Sequence, residues 1–135
     1  LGLAMAQPDR KVLVLDGDAT LRTDLAVFAT IGESKPENLV HFVFEDIASL
    51  STDGLPVKGL DNVDFQMMAR GAGYANTYRF SDIEELLLGL ESVIEQPGPT
   101  LIMVEVARDQ EQAPFPERGM AEGWALVRES LLDGR

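Results

Sequence analysis

Two short apolar segments of the chain each lead into acidic residues. Asp18 closely follows Lys11–Leu15, and Asp46 follows Leu39–Phe44. If both segments are parallel strands, their carboxyl ends open on one crevice, which is where open α/β sheets bind ligands. Mg²⁺ favours about six oxygen ligands and is usually held by one or two carboxylates together with substrate phosphates. The pattern therefore predicts a magnesium site, although acids at strand ends also occur as solvated loop residues or helix caps.

The segment around Asp16 and Asp18 also fits a second kind of chemistry. The string VLVLDGDATL matches a strand followed by Asp-x-Asp-x-Thr, which is typical of haloacid-dehalogenase-like phosphatases. In this alternative, Asp16 is the nucleophile that attacks a phosphoryl group and Asp18 is the general acid and base. The match is short. No later Lys precedes an acidic pair at a predicted strand end, because Lys58 falls in a predicted loop.

The elements that must position these residues alternate between strands and helices. Apolar β-branched runs predict the strands, and helical periodicity with capping residues predicts the helices. Strands are expected over 11–15, 39–44, 74–80 and 100–106, and helices over 21–31, 64–70, 81–94 and 120–132. This alternation predicts an α/β fold, a three-layer doubly wound parallel sheet with helices on both faces.

Several residues mark where the predicted helices begin and end. Gly32 is expected to stop the first helix, and Asp64 to cap the second. Ser81 and Glu84 form the Ser-x-x-Glu pattern of a capping box for the third. The segment from Gly71 to Gly73 is expected to form a turn that ends a helix.

Length and charge limit the classes of function. The 135 residues are enough for one ordinary core, so residues 1–135 are predicted to form a single domain. A net charge of −12 with scattered basic residues argues against nucleic acid as a partner. No apolar run approaches the roughly 20 residues of a membrane span, and cysteine is absent. A soluble cytoplasmic protein is therefore expected.

His41 is the single histidine and lies inside an apolar predicted strand. No acid or serine stands beside it in the sequence. A buried core or edge histidine with a satisfied hydrogen bond is therefore favoured over a catalytic one.

Beyond these patterns, the chain resembles a known family of enzymes. The run LGLAMAQPDRKVLVLDGDATLRTDLAVFATIG is similar to the segment of thiamine-diphosphate enzymes that leads into a Gly-Asp-Gly turn. The run ENLVHFVFEDIASLSTDGLP is similar to the following strand and its Asn-containing loop. The resemblance continues through VDFQMMARGAGYANTYRF and PGPTLIMVEV and is strongest to sulfopyruvate and phosphonopyruvate decarboxylases. It implies the thiamine-diphosphate-binding fold.

The resemblance also implies roles for individual residues. Asp18 and Asp46 would bind Mg²⁺ through their side chains, and Ala48 would bind it through its carbonyl oxygen. The diphosphate of thiamine diphosphate would contact a set of residues at the same two strand ends. That cofactor-binding set is Gly17, Asp18, Ala19, Thr20, Asp46, Ala48 and Ser49.

Several of these positions depart from the family pattern. Ala19 stands where the family has a second glycine, so its methyl group is expected to crowd the diphosphate, or to strain the backbone if φ is positive there. Asp24 and Asp46 stand where Asn is usual, and Leu55 where these decarboxylases commonly have Gln. Asp46, Glu45 and Asp53 add negative charge near a diphosphate, so weakened or lost cofactor binding is expected.

The family's other catalytic half is expected to lie outside this chain. In the family, a Glu on a pyrimidine-binding domain activates the cofactor across a subunit interface. A pyrimidine-binding subunit or domain is therefore an expected partner, within a homo- or hetero-oligomer. The predicted function is the diphosphate- and Mg²⁺-binding half of a 2-oxo-acid decarboxylase. The alternative is a degenerate, non-catalytic thiamine-fold domain that acts in protein interaction.

Overall fold

A computed structural model describes residues 1–46, 63–107 and 119–133 of the chain. Helices and strands alternate along most of its length. In chain order the elements are α1 (Gly2–Ala6), β1 (Val12–Gly17), α2 (Asp18–Thr23), α3 (Ala26–Ser34), β2 (Leu39–Asp46), α4 (Phe65–Ala72), β3 (Asn76–Phe80), α5 (Ile83–Glu95), β4 (Thr100–Val106) and α6 (Met120–Asp133). Within these residues, no helix is long and apolar enough to cross a membrane.

The four strands form one parallel sheet in the order β1-β2-β4-β3. The central strands, β2 and β4, are almost wholly buried because both of their faces are covered. The order is non-sequential, so the connection from β2 to β3 crosses over β4's position in the sheet. The predicted α/β fold with a doubly wound parallel sheet is confirmed.

Alternate residues of the strands divide the core between the two faces of the sheet. On one face, Leu39 and Val43 of β2 pack with helices α1 to α4, around Phe28 and Phe65. On the other face, neighbouring β2 residues such as Val40 pack against the inner side of α5. The period of two along the strand produces this division. Three layers result, as the sequence predicted.

The helix predicted over 21–31 is two helices, α2 and α3. The chain breaks at Asp24, whose φ of −145° and ψ of 75° are not helical. The Thr23 hydroxyl donates to the Thr20 carbonyl oxygen at 2.6 Å. Side-chain bonds of this kind compete with helical ones and favour an ending, and Asp is a weak helix former. The break redirects the chain so that α3 packs on α4.

Gly32 does not stop α3, so that prediction was wrong. The helix continues to Ser34 and ends at Lys35, which has a left-handed φ of 47°. Gly32 instead lies where α3 approaches the end of α4, and a Cβ there would lie 1.9 Å from the Ala72 carbonyl oxygen. The absence of a side chain serves packing between helices.

The helix caps are close to those predicted, with one correction. Asp64 caps α4 by accepting from the Met67 amide, as expected. Gly73 ends α4 with a left-handed φ of 106°, as expected, but Gly71 still belongs to the helix and not to the turn. The cap of α5 is Asp82, not Ser81, and its carboxylate accepts from two amides of the first turn. A carboxylate at this position satisfies both amides and interacts favourably with the positive end of the helix dipole.

Candidate functional site

The carboxyl ends of β1 and β2 lie side by side. Gly17, the last residue of β1, is in register with Phe44 of β2, and β2 continues two residues further, to Asp46. The predicted juxtaposition of the two strand ends is therefore confirmed at the level of the backbone. Ala48 and Ser49 lie outside the described residues, as does the side chain of Asp46.

Asp18 begins α2 directly at the end of β1, so Asp16 and Gly17 are strand residues and not a separate turn. The Asp18 side chain is buried and its carboxylate pairs with the guanidinium of Arg22, with Oδ2 and Nη2 3.3 Å apart. The same guanidinium lies over the Phe65 ring, 5.0 Å from its centroid. Arg22 was not singled out from the sequence, although its i, i+4 spacing from Asp18 is a signal for such a pair.

Gly17 and Ala19 flank Asp18 in the two elements. The Gly17 amide donates to Oδ1 of Asp16 at 3.0 Å, so a neighbouring carboxylate engages an amide that was expected to face a diphosphate. Ala19 lies in helical backbone, and the only non-glycine residue with positive φ in the described ranges is Lys35. The strain considered for Ala19 is therefore absent. Thr20 is exposed in the same turn of α2.

His41, in β2, lies between Asp16 of β1 and Tyr74 of the loop that follows α4. Its Nδ1 lies 3.2 Å from the Tyr74 hydroxyl, and its Nε2 lies 3.7 Å from Oδ2 of Asp16. The predicted burial of His41 is confirmed, and Nδ1 has a hydrogen-bond partner, whereas Nε2 has none within hydrogen-bond distance among the described residues. The sequence did not reveal its two neighbours, because Asp16 and Tyr74 reach it only through strand register and the loop after α4.

The electrostatics of this group follow from its burial. Burial lowers the pKa of His41 more than the nearby Asp16 carboxylate raises it. Burial likewise raises the pKa of the Tyr74 hydroxyl. At neutral pH both groups are uncharged. The Tyr74 hydroxyl can then donate to Nδ1 while the proton on Nε2 is directed towards Asp16.

A second set of charges lies across the carboxyl ends of β2, β4 and β3. Arg79 of β3 donates to Glu105 of β4 at 2.9 Å and also bonds the carboxylate of Glu45 on β2. Glu45 was expected to add negative charge to the site, and here an arginine partly offsets that charge. Two acids thus share one arginine next to the predicted ligand site, so one negative charge stays uncompensated within this group.

The described residues supply one of the three predicted metal ligands. The carboxylate of Asp18 is a hard oxygen donor, which suits Mg²⁺. Within the described ranges, no group of three or more His, Cys, Asp or Glu side chains could hold a metal ion. The chemistry of the donor therefore fits, but a cation reaching Asp18 would have to compete with Arg22.

A comparison with known protein families identifies the family of this chain. The model for the thiamine pyrophosphate enzyme, C-terminal TPP binding domain, matches residues 1–104. The chain belongs to this family. The resemblance inferred from the sequence is confirmed, and membership favours a thiamine diphosphate-binding domain over the phosphatase alternative built on Asp16 and Asp18. The phosphatase pattern requires a later Lys at a strand end, and Lys58, which was predicted to lie in a loop, is outside the described residues.

This TPP-binding domain is similar to parts of longer enzymes. It is 32% identical over 106 residues to phosphonopyruvate decarboxylase from Streptomyces viridochromogenes, covering 78% of the chain and 26% of that protein. It is 32% identical over 114 residues to sulfopyruvate decarboxylase subunit beta from Methanothermobacter thermautotrophicus, covering 84% of the chain and 58% of that subunit. The chain thus spans about a quarter of the first relative and little more than half of the second.

A solved structure agrees at the level of fold. The X-ray structure of a Mycobacterium smegmatis protein assigned as a thiamin diphosphate-dependent enzyme matches with a TM-score of 0.62 and 20% identity. The match covers 81% of the chain and 21% of that protein. The arrangement of sheet and helices is therefore that of a thiamine diphosphate-binding domain.

Proposed function

We propose that this domain is the diphosphate-binding half of a thiamine-diphosphate-dependent 2-oxo-acid decarboxylase of the phosphonopyruvate or sulfopyruvate type. One observation carries the proposal: the family match runs through the two adjacent strand ends, where Asp18 opens α2 beside the end of β2. Ligands of open parallel sheets bind at this edge. When bound, thiamine diphosphate supplies the carbanion stabilisation that decarboxylation needs.

In this proposal, the domain holds the metal ion that joins it to the diphosphate. Asp18 and Asp46 bind Mg²⁺ through their carboxylates, and Ala48 binds it through its carbonyl oxygen. A divalent cation is needed because a chain with a net charge of −12 would otherwise repel a diphosphate. Two carboxylates and one carbonyl leave coordination positions for phosphate oxygens and water.

The diphosphate itself would contact residues on both sides of this metal. Gly17, Ala19 and Thr20 would face it at the end of β1 and the start of α2, and Ser49 at the loop after β2. The helical backbone of Ala19 is compatible with this arrangement, since φ is not positive there and a non-glycine residue is not strained. The Gly17 amide becomes available when the Asp16 carboxylate moves from its present position.

The rest of the catalytic site would come from a partner. We propose a pyrimidine-binding subunit or domain, in a homo- or hetero-oligomer located in the cytoplasm. The similarity to a protein named as a beta subunit supports a separate partner chain. Enzyme activity would then require both halves, and this domain alone would bind cofactor without turning over substrate.

Thermal unfolding of the purified chain tests the binding role. Melting temperatures are measured with Mg²⁺, with thiamine diphosphate, and with both. Ligand at about 100 times its dissociation constant stabilises by about 2.7 kcal/mol, which is several degrees for a domain of this size. The proposal predicts a rise that needs both components and is lost in Asp18→Ala. A rise of equal size in Asp18→Ala would contradict it.

One observation favours the second candidate, a non-catalytic domain that acts in protein interaction. Asp18, the one predicted metal ligand whose side chain is described, is already paired with Arg22. A domain that had lost its cofactor would keep such a pair permanently. The two candidates differ in a simple respect, because the interaction domain shows no stabilisation by Mg²⁺ and thiamine diphosphate even with its partner present.

A further inference from the structure

Asp18 and Arg22 form a charge pair inside the candidate site. Both side chains are only 10% exposed, and Oδ2 and Nη2 lie 3.3 Å apart. A buried carboxylate is stable only with a counter-charge, because leaving one charge unpaired in the interior is strongly unfavourable. Arg22 therefore supplies at Asp18 the positive charge that a metal ion would supply.

The position of Arg22 is fixed by more than this pair. Its guanidinium lies 5.0 Å from the centroid of the Phe65 ring, in a cation–π contact. Phe65 is itself fully buried at the start of α4, in the core that α2 and α3 share. The Arg22 guanidinium is therefore held in a defined position between α2 and α4.

The adjacent amide is engaged in the same way. Gly17 donates its N–H to Oδ1 of Asp16 at 3.0 Å, so a carboxylate of the chain takes the place of an external anion. Asp18, which is expected to bind metal, is thus paired with a cationic side chain, and the Gly17 amide, which is expected to bind diphosphate, is paired with a carboxylate.

We propose that Arg22 is an internal counter-ion that competes with divalent metal for Asp18 and so weakens metal binding by this domain. The inference rests on the proposed function for the identity of Asp18 as a ligand. A divalent ion at Asp18 would lie close to the guanidinium, and their repulsion favours one occupant over both. Removing the positive charge of Arg22 should therefore strengthen metal binding at Asp18.

Mn²⁺ alone is a suitable probe, because the concentration of unbound Mn²⁺ is measured directly from its electron paramagnetic resonance signal. The test compares wild type with Arg22→Gln and Arg22→Met, the second of which keeps an apolar stem against Phe65. Arg79→Gln is the matched control, since it removes an arginine that pairs with acids at the same edge of the sheet. Asp18→Asn, alone and combined with Arg22→Gln, measures binding to the rest of the acidic surface.

The expected result is an apparent Mn²⁺ dissociation constant at least tenfold lower in both Arg22 variants than in wild type. The gain should vanish in the Arg22→Gln/Asp18→Asn double variant, and in Arg79→Gln it should be much smaller, no more than the loss of one positive charge beside Glu45 and Glu105 produces. Without metal, Arg22→Gln should melt several degrees below wild type, and saturating Mn²⁺ should restore most of that loss. An unchanged dissociation constant in both Arg22 variants would overturn the proposal, as would a gain that survives Asp18→Asn.

A measurement on the wild-type chain covers the case in which the variants do not fold. Mn²⁺ is replaced by diamagnetic Mg²⁺, and the side-chain NMR signals of Arg22 are followed during the titration. Displacement of the guanidinium from Asp18 should shift these signals, while those of Arg79 stay in place. Saturation of Asp18 with no change at Arg22 would contradict competition.

Failure of this inference and failure of the proposed function give different results. If Arg22→Gln binds Mn²⁺ tightly at Asp18 but no variant binds thiamine diphosphate, the competition holds and the cofactor role fails. If wild type binds thiamine diphosphate with Mg²⁺ and Arg22→Gln does so equally well, the cofactor role holds and the competition fails.

Discussion

Replacing Tyr74 with Phe should destabilise the chain by removing a single buried hydroxyl. The Tyr74 residue is only 6% exposed and its hydroxyl lies 3.2 Å from Nδ1 of His41, which is itself 2% exposed. The ring would stay packed against Phe28, with which it forms an edge contact. The main consequence is therefore a buried imidazole nitrogen without its partner.

The magnitude follows from that unsatisfied nitrogen. Leaving a buried polar group without a hydrogen bond costs about 1–3 kcal/mol, and a neutral imidazole belongs in the lower part of that range. We expect a loss of about 1–2 kcal/mol in the free energy of unfolding, or roughly 3 to 8 °C in melting temperature. The assay is equilibrium unfolding in urea, with tryptophan fluorescence or circular dichroism as the signal.

Tyr78 provides the matched control, since it is the other tyrosine of the chain. Its hydroxyl donates to Oε1 of Gln96 at 2.8 Å in a half-buried position, where water can replace it. Tyr78→Phe should cost about 0.5 kcal/mol or less. In a His41→Leu background, the cost of Tyr74→Phe should largely disappear, because the unsatisfied acceptor is gone. A loss for Tyr74→Phe no greater than for Tyr78→Phe would refute the reasoning.

Three further predictions concern stability and are measured by the same urea unfolding. Gly32→Ala should lower the free energy of unfolding by about 3 kcal/mol or more, because its Cβ would meet the Ala72 carbonyl oxygen at 1.9 Å. Gly71→Ala is the control: a Cβ there has nothing within 4 Å, so this variant should be neutral or slightly stabilising. Equal effects of the two substitutions would contradict the close packing at Gly32. Asp82→Ala should cost about 1 kcal/mol by removing the cap of α5, and a change below a few tenths would show that water replaces it. The pKa of His41 is lowered by burial in the folded state, so the unfolded chain binds a proton at this residue more readily, and the free energy of unfolding should decrease as pH falls below 6.5. If a His41→Gln variant loses as much stability over this pH range as wild type, other groups cause the pH dependence.

Much of the fold could be predicted because its signals are local. The strand Thr100–Val106 was predicted to the residue, since it is an apolar β-branched run that follows Pro99. The adjacency of the β1 and β2 ends also followed from the pattern, because parallel strands joined by a helix present the same edge. Family resemblance added the expected roles of Gly17, Asp18 and Ala19 at the junction of β1 and α2, which stay predictions.

The remaining features depend on tertiary contacts that no local pattern contains. Gly32 was interpreted as a helix stop, but its role is set by the end of α4, which lies 40 positions later at Ala72. His41 was correctly predicted to be buried, but its neighbours come from β1 and from the loop after α4. Arg22 is visible as an i, i+4 partner of Asp18, but the contact with Phe65 that helps to hold it is not.

Calorimetric titration of the full chain tests most directly whether this domain holds the diphosphate end of the cofactor. With saturating Mg²⁺, thiamine diphosphate should bind, inorganic pyrophosphate should displace it, and thiamine without phosphate should give no heat. Asp18→Ala should abolish the binding of both phosphate-bearing ligands. Binding of thiamine as tight as that of thiamine diphosphate, or the absence of any competition by pyrophosphate, would contradict the proposed role.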